Sequence, residues 1–176
     1  MGSTLTVDNI VGATTAANVK FPAGSILQTV TKAFTDSTSI TSSGATYTDV
    51  TNGTITITPK YNNSKILILP NIAFYLQDTS SLYIYGSFRL LRGSSTTVAP
   101  TNSADGNGSY DYGLGDNGTS TTLQFGTRHS GHHVDTPATT SATTYKFQGN
   151  NYSAGRTMVV NGGGASSSII AMEISV

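Results

Sequence analysis

This chain has no cysteine, no tryptophan and one glutamate, and only 10% of its residues are charged. Each shortage excludes something. Without Cys there is no disulfide, no thiolate zinc site and no Cys nucleophile, and stability has to come from packing or assembly. Such a chain fits synthesis in a reducing cytoplasm. A single Glu, Glu173, rules out a Glu–Glu pair for glycoside hydrolysis. Nine basic and nine acidic residues cancel to a net charge of zero and form no patch, so the electrostatic footprint of nucleic-acid binding is missing. No stretch reaches transmembrane length, so membrane insertion is not expected. The N-terminus lacks the basic start and apolar run of a signal peptide. The five Asn-X-Ser/Thr sequons, at Asn52, Asn62, Asn107, Asn117 and Asn151, are then products of a Thr- and Asn-rich composition and not glycosylation sites.

What is present points to β structure. About three residues in ten are Ser or Thr, and there are 19 Gly; Thr favours strands while Gly and Asn favour turns. The apolar runs Ile66–Leu69, Leu82–Leu91 and Ile169–Val176 separate this composition from a disordered linker. Residues 1–24 carry Leu5, Val7, Ile10, Val11, Val19 and Phe21 with no sustained period, which reads as an extended N-terminal attachment arm that gains order on a partner. Residues 25–176 form the domain. Short strands are predicted at Ser25–Phe34, Thr46–Val50, Thr54–Thr58, Lys65–Leu69, Ile72–Gln77, Leu82–Leu91, Thr121–Thr127, Thr143–Gln148, Arg156–Val160 and Ser168–Val176. Asn52-Gly53 is expected to turn the second strand into the third, and Pro70 to mark a bulge or edge. Lys65–Leu69, apolar on both sides, should be buried on both. Residues 93–120 are the longest candidate loop region, with room for one short strand.

The final strand alternates. Ile170, Met172, Ile174 and Val176 fall on one face, and Ile169, Ala171, Glu173 and Ser175 on the other. Chain ends are normally solvated, so an apolar end calls for burial in a sheet and against a second copy of the chain. We place Ile170, Met172, Ile174 and Val176 in a trimer core, and expect Glu173 to pair with an Arg or Lys of its own or a neighbouring chain, because a buried unpaired carboxylate is costly.

Catalytic signatures are missing: there is no G-x-S-x-G elbow, and Gly162-Gly163-Gly164 lacks the Lys-Ser/Thr of a phosphate loop. No catalytic residue and no cofactor are assigned. All three histidines, His129, His132 and His133, fall in one segment followed by Asp135, a composition that invites a metal. In an extended segment, however, His129 and His133 stand about 13 Å apart, which favours a polar loop or edge strand, with a metal on a threefold axis as the competing reading. The acidic run from Asp105 to Asp116 does not match the EF-hand spacing. Tyr110 and Tyr112, with Asn107 and Asp111, are the better functional candidates. Rigid amphipathic rings beside adaptable polar groups suit recognition of a saccharide or a protein.

Ile57-Thr58-Pro59-Lys60 followed by Ser64-Lys65-Ile66-Leu67-Ile68 resembles a recurring core motif in virion structural and tail-fibre proteins of marine bacteriophages, cyanophages especially. Asp135-Thr136-Pro137 with Thr139–Lys146, and the closing Ile170-Ala171-Met172-Glu173-Ile174, resemble that family's last strands. Ser3–Asp8 with Phe21–Gly24 is similar to the segment preceding such domains. Residues 93–134 match no family pattern. The resemblance implies an antiparallel jelly-roll-like β-sandwich of the TNF/C1q kind, homotrimeric, standing on a virion surface. The leading expectation is a non-enzymatic tail fibre or receptor-binding knob that contacts itself, other virion proteins and a host-surface glycan or protein. A capsid decoration protein or head fibre is the alternative, and a secreted carbohydrate-binding module a weaker one.

Overall fold

The computed structural model describes residues 21–78, 83–99, 110–115, 123–151 and 154–176. These form twelve strands: β1 (Ile26–Phe34), β2 (Thr38–Ile40), β3 (Thr48–Ile57), β4 (Lys65–Asp78), β5 (Tyr83–Arg92), β6 (Thr96–Ala99), β7 (Tyr110–Gly115), β8 (Leu123–Ser130), β9 (His133–Asp135), β10 (Thr143–Asn151), β11 (Thr157–Val160) and β12 (Ser167–Ile174). A 3-10 turn at Gly162–Gly164 joins the last two.

The antiparallel pairings are nested. β1 pairs with β12, β2 with β11, β3 with β10, β4 with β8 and β9, and β5 with β6 and β7. The chain is therefore one long double ribbon, rolled up so that β4 also takes β12 and β11 while β5 takes β10. The products are a first sheet of seven strands centred on β4 and a second of five, ordered β3-β10-β5 with β6 and β7 beyond. Two antiparallel sheets made by rolling a nested ribbon are a jelly-roll sandwich, as expected from the sequence.

Alternation fills the space between the sheets. Ile66, Ile68, Ile72 and Leu76 of β4 face Ile84, Phe88 and Leu90 of β5 and Tyr145 and Phe147 of β10, all fully or almost fully buried. Gly86 and Gly149 sit where a Cβ would run into Leu76, Met158 and Ile40, so the close approach of the sheets there requires glycine.

Several sequence expectations change. Asn52-Gly53 is no hairpin turn: β3 runs through it, and its pairing with β10 jumps from Asp49 to Thr54 while β10 advances only from Gln148 to Lys146. The surplus residues bulge out, Asn52 adopts φ 57°, and its amide donates to Asp36 Oδ2 at 2.8 Å. Pro70 marks no break either. It lies within the 14-residue β4, where the neighbour on one side changes from β9 to β8, so a missing N–H interrupts the ladder least. Residues 93–120 contain two strands, β6 and β7, where one short strand within a loop region was expected. Leu67 and Leu69 are only half-buried, on the outer side of the first sheet.

Glu173 is fully buried among these strands. Its partners are neutral donors, not the expected cation. Oε1 accepts from the N–H groups of Lys60 and Tyr61 at 2.7 and 3.2 Å and from Ser64 Oγ at 2.7 Å, and Oε2 accepts from Gln28 Nε2 at 2.5 Å. Gln28 can turn inward because a bulge at Leu27 breaks the β1 alternation, leaving Ile26 opposite Ile174 and Gln28 opposite Glu173. Replacing Glu173 by Ala strands several buried donors at once. The Glu173→Ala protein should lose about 3 kcal/mol of stability or more, read as a shifted urea midpoint. A loss under about 1 kcal/mol would show that water replaces the carboxyl without penalty.

Candidate interaction surface

Because Ile169, Ala171 and Glu173 of β12 point into the core, Ile170, Met172 and Ile174 point out. The register aligns them with neighbours of the same kind. Ile174 lies between Ile26 and Lys65; Met172 between Thr29 and Leu67, with Val134 beyond Leu67; Ile170 between Thr31 and Leu69. The next row, Ala33, Ser168, Asn71 and Ser130, is small and polar. The outer face of the first sheet is thus apolar at one end and polar at the other, and Lys65 is the one charge in the apolar rows.

That end is also where residues 24 and 25 meet the last strand's end. Gly24 N–H donates to Ser175 O at 2.8 Å and Ser175 N–H to Ser25 O at 2.9 Å. Among the described residues five large hydrophobic side chains are exposed, and four of them, Phe21, Ile26, Val134 and Val176, gather there. Scattered singly such residues need no explanation, whereas a contiguous group marks an interaction surface. Of the arm residues, Leu5, Val7, Ile10, Val11 and Val19 lie outside the described residues; Phe21 is 53% exposed.

The outer face of the second sheet is the opposite in character. Arg89 lies 3.9 Å over the Tyr47 ring and donates from Nε to Gln148 Oε1 at 2.8 Å. Gln148 donates in turn to Asp49 at 2.5 Å, and Lys146 pairs with Asp49 at 2.9 Å. Partial burial alone would raise the Asp49 pKa, but its bonds with Gln148 and Lys146 hold it below the usual carboxylate value. Arg89, Asp49 and Lys146 thus all have partners, so this face resembles a solvated surface. A second polar cluster laces the sheets together from inside: Arg92 grips both Asp135 oxygens at 2.9 and 2.8 Å, and Tyr145 donates to Asp135 at 2.7 Å. Burial, with the Asp135 bond, pushes the Tyr145 pKa up.

Within one chain the histidines do not converge. His129 and His133 lie opposite Ile72 and Ile68 of β4, four residues apart, hence about 13 Å, and His132 is exposed between them. Among the described residues no three His, Asp or Glu side chains are placed to share an ion. His129 is no loop residue either. It is buried in the core, with ring centroids 5.5 Å from Phe88 and 5.9 Å from Phe147. Its place was foreshadowed by the alternation of Leu123, Phe125, Thr127 and His129 at period two. Asn107 lies outside the described residues; Tyr110, Asp111 and Tyr112 belong to β7, at the register positions opposite Phe88, Ser87 and Gly86. The residues proposed as receptor loops are thus partly sheet edge, and the β5–β6 turn lies at the terminal end of the sandwich, away from the β4–β5 end that β7 reaches. No described helix is long and apolar enough to cross a membrane.

No family model matches the chain, and no curated protein does. Solved structures with some similarity include one of infectious bursal disease virus, Gx strain (TM-score 0.33, 16% identity, 85% of this chain and 37% of that one), and the VP2 subviral particle of the same virus (TM-score 0.29, 12% identity, 85% and 38%). The chain spans well under half the length of either, and likenesses this shallow assign neither fold nor function.

The second-sheet network makes a quantitative prediction. A depressed carboxylate stabilises the folded chain above the ordinary aspartate value, and that contribution is lost as pH falls through the lowered one. Asp49 should therefore titrate below 3.8 in a carboxyl NMR titration, and Lys146→Met should move it upward. With the Asp49 side chain 58% exposed, the stability change should stay within about 1 kcal/mol.

Proposed function

We propose that this is a non-enzymatic, homotrimeric virion surface protein of a bacteriophage, whose three sandwiches pack through the apolar end of the first sheet's outer face. The observation that supports it best is that end: Ile26, Leu67, Leu69, Val134, Ile170, Met172 and Ile174 in continuous rows, nearly free of charge, beside the point where the arm joins the domain. Covering them completes the burial of five half-buried side chains and removes the exposed Ile26 and Val134 from water. Each contributes less than a side chain buried from full exposure, which is worth about 1.5–3 kcal/mol. The N-terminal arm attaches the trimer to the particle, and the far end of each sandwich faces outward. The virion setting is supported by the resemblance of the Ile57–Ile68 and Ile170–Ile174 segments to phage virion proteins. Within that setting the reading favoured is a short fibre or receptor-binding knob, with capsid decoration as its rival. Copies per purified particle separate them: few for a fibre, many for decoration.

Deleting the last nine residues would not test this assembly, because Ile169, Ala171 and Glu173 leave the core with them. Outward substitutions do. Sedimentation of the full chain should give a particle of three 18.3 kDa chains, and Leu67→Glu with Met172→Glu should give a folded monomer with an unchanged circular dichroism spectrum. A monomeric parent protein, or a double variant that stays trimeric, overturns the proposed interface. Removal of residues 1–20 should leave the trimer folded but unable to join particles.

A further inference from the structure

Four strands pair with β4, and two of them, β8 and β9, share one of its sides. Each pairs only with β4 among the described strands, so together they form one margin of the first sheet. The core-facing side chains of β8 are Leu123, Phe125, Thr127 and His129; the first three are only half-buried, and His129 is the fully buried one. On β9 the core-facing residues are His133 and Asp135, both half-buried. The one fully buried side chain of the margin is therefore an imidazole lying against Phe88 and Phe147, flanked on β8 by the partly buried Leu123 and Phe125. On β9 a second imidazole, His133, stands beside Asp135, which Arg92 and Tyr145 hold. On β4 and β10 the fully buried groups include Ile66, Ile68, Ile72, Leu76, Tyr145 and Phe147.

We propose that β8 and β9 are an acid-releasable strap, which detaches from β4 as a unit when His129 and His133 take up protons, while the rest of the nested ribbon stays folded. The strap's release would uncover the aromatic interior around Phe88 and Phe147 and carry Val134 away from the outer apolar rows.

The surroundings decide the direction. Elements packed on the strap are β4, β5 and β6, with β10 reaching it through Phe147. On β4 the core-facing ionisable group is Asp78, at the far end and paired with Arg156 at 3.0 Å; Lys65 and Tyr75 face outward. On β5 it is Arg92, and on β10 Tyr145, both committed to Asp135; Tyr85, Arg89 and Lys146 lie on the outside of the second sheet, and β6 carries no ionisable side chain. Beside His133 stands Asp135, whose oxygens are already held by Arg92 and Tyr145. Of the strap's other cations, Arg128 points outward, to Asn71 Oδ1 and Ser166 O. Burial pushes the His129 pKa down to about 4 and lowers that of His133. A histidine whose folded value lies below its ordinary 6.5 favours the closed strap fully at neutral pH and progressively less as pH falls towards 4. Opening that frees His129 should become about twentyfold easier between pH 7 and pH 5 from this group alone.

Hydrogen exchange of the full chain, resolved by segment and corrected for the intrinsic pH dependence of amide exchange, tests it. Protection over residues 123–135 should fall by at least tenfold from pH 7 to pH 5 while that of β3, β10 and β12 is retained, and His129→Phe should remove most of the fall. Overturning results are unchanged protection in the strap, or strap amides that exchange together with those of β10 and β12 at every pH. The parent protein alone distinguishes these, so the test stands even where His129→Phe folds poorly. In that event His133→Gln should lessen the fall, and a full-sized fall in that variant together with loss throughout the sandwich also counts against the strap.

Discussion

The position of the Glu173 carboxyl group constrains most of what surrounds it. A buried carboxyl needs all its lone pairs met, and here the donors come from three places: the loop joining β3 to β4, the Ser64 hydroxyl just before β4, and Gln28 on β1. Satisfying them fixes the path by which the chain crosses from the second sheet to the first. It also demands the bulge at Leu27, since without it Gln28 and Ile26 would share a face. Once that bulge is set, Ile26, Thr29 and Thr31 face outward opposite Ile174, Met172 and Ile170. The apolar rows outside are therefore a consequence of the polar clamp inside. The two faces of β12 are coupled by a period of two that neither can escape.

The two sheets differ in what they leave outside. On the second, Tyr47, Asp49, Arg89, Lys146 and Gln148 satisfy one another across three strands, and Asn150 donates to Gly44 O at 2.6 Å and accepts from Ser87. Such a surface has little to gain by leaving water, because every polar group covered would have to keep its partner. On the first sheet the apolar rows hold one lysine and two threonines besides aliphatic groups, so covering them removes hydrocarbon from water at little polar cost. Association is expected on the face where desolvation is cheap, and that is also the face nearest the arm.

Local pattern was legible in the sequence and pairing was not. Leu82–Leu91 alternates regularly, and in the structure Ile84, Phe88 and Leu90 face the core while Tyr85 and Arg89 face the other side. The outward set on β12 was equally readable. What failed were features decided by strands distant in sequence. Asn52-Gly53 has the composition of a hairpin turn, yet both flanking segments pair with β10, some ninety residues later, and the dipeptide becomes a bulge. Pro70 argues for an edge until one sees that two strands, β9 and β8, meet opposite it. Leu67 and Leu69 look like core because Ile66 and Ile68 are, and only the sheet order shows that a single sandwich leaves them outside. Of the loop and edge-strand readings of the histidine segment, β8 and β9 adopt the strand; the burial of His129 was harder to see, because the Leu123–His129 alternation has meaning only with β4 beside it.

The histidine strap and the apolar rows meet at Val134. It stands on β9 beyond Leu67, 53% exposed, while its neighbours His133 and Asp135 face the core. In the proposed trimer the strap would therefore have one side in the protomer's interior and the other against a second copy. Covering Val134 would oppose release of the strap, and protonation of His129 would weaken the covered face, since any contact that favours the closed margin is lost when it opens. The two effects must be reciprocal. If assembly holds the strap closed, it must lower the proton affinity of His129, and acid must weaken assembly by the factor by which assembly weakens proton binding, which links the interior of one sandwich to the contact between sandwiches.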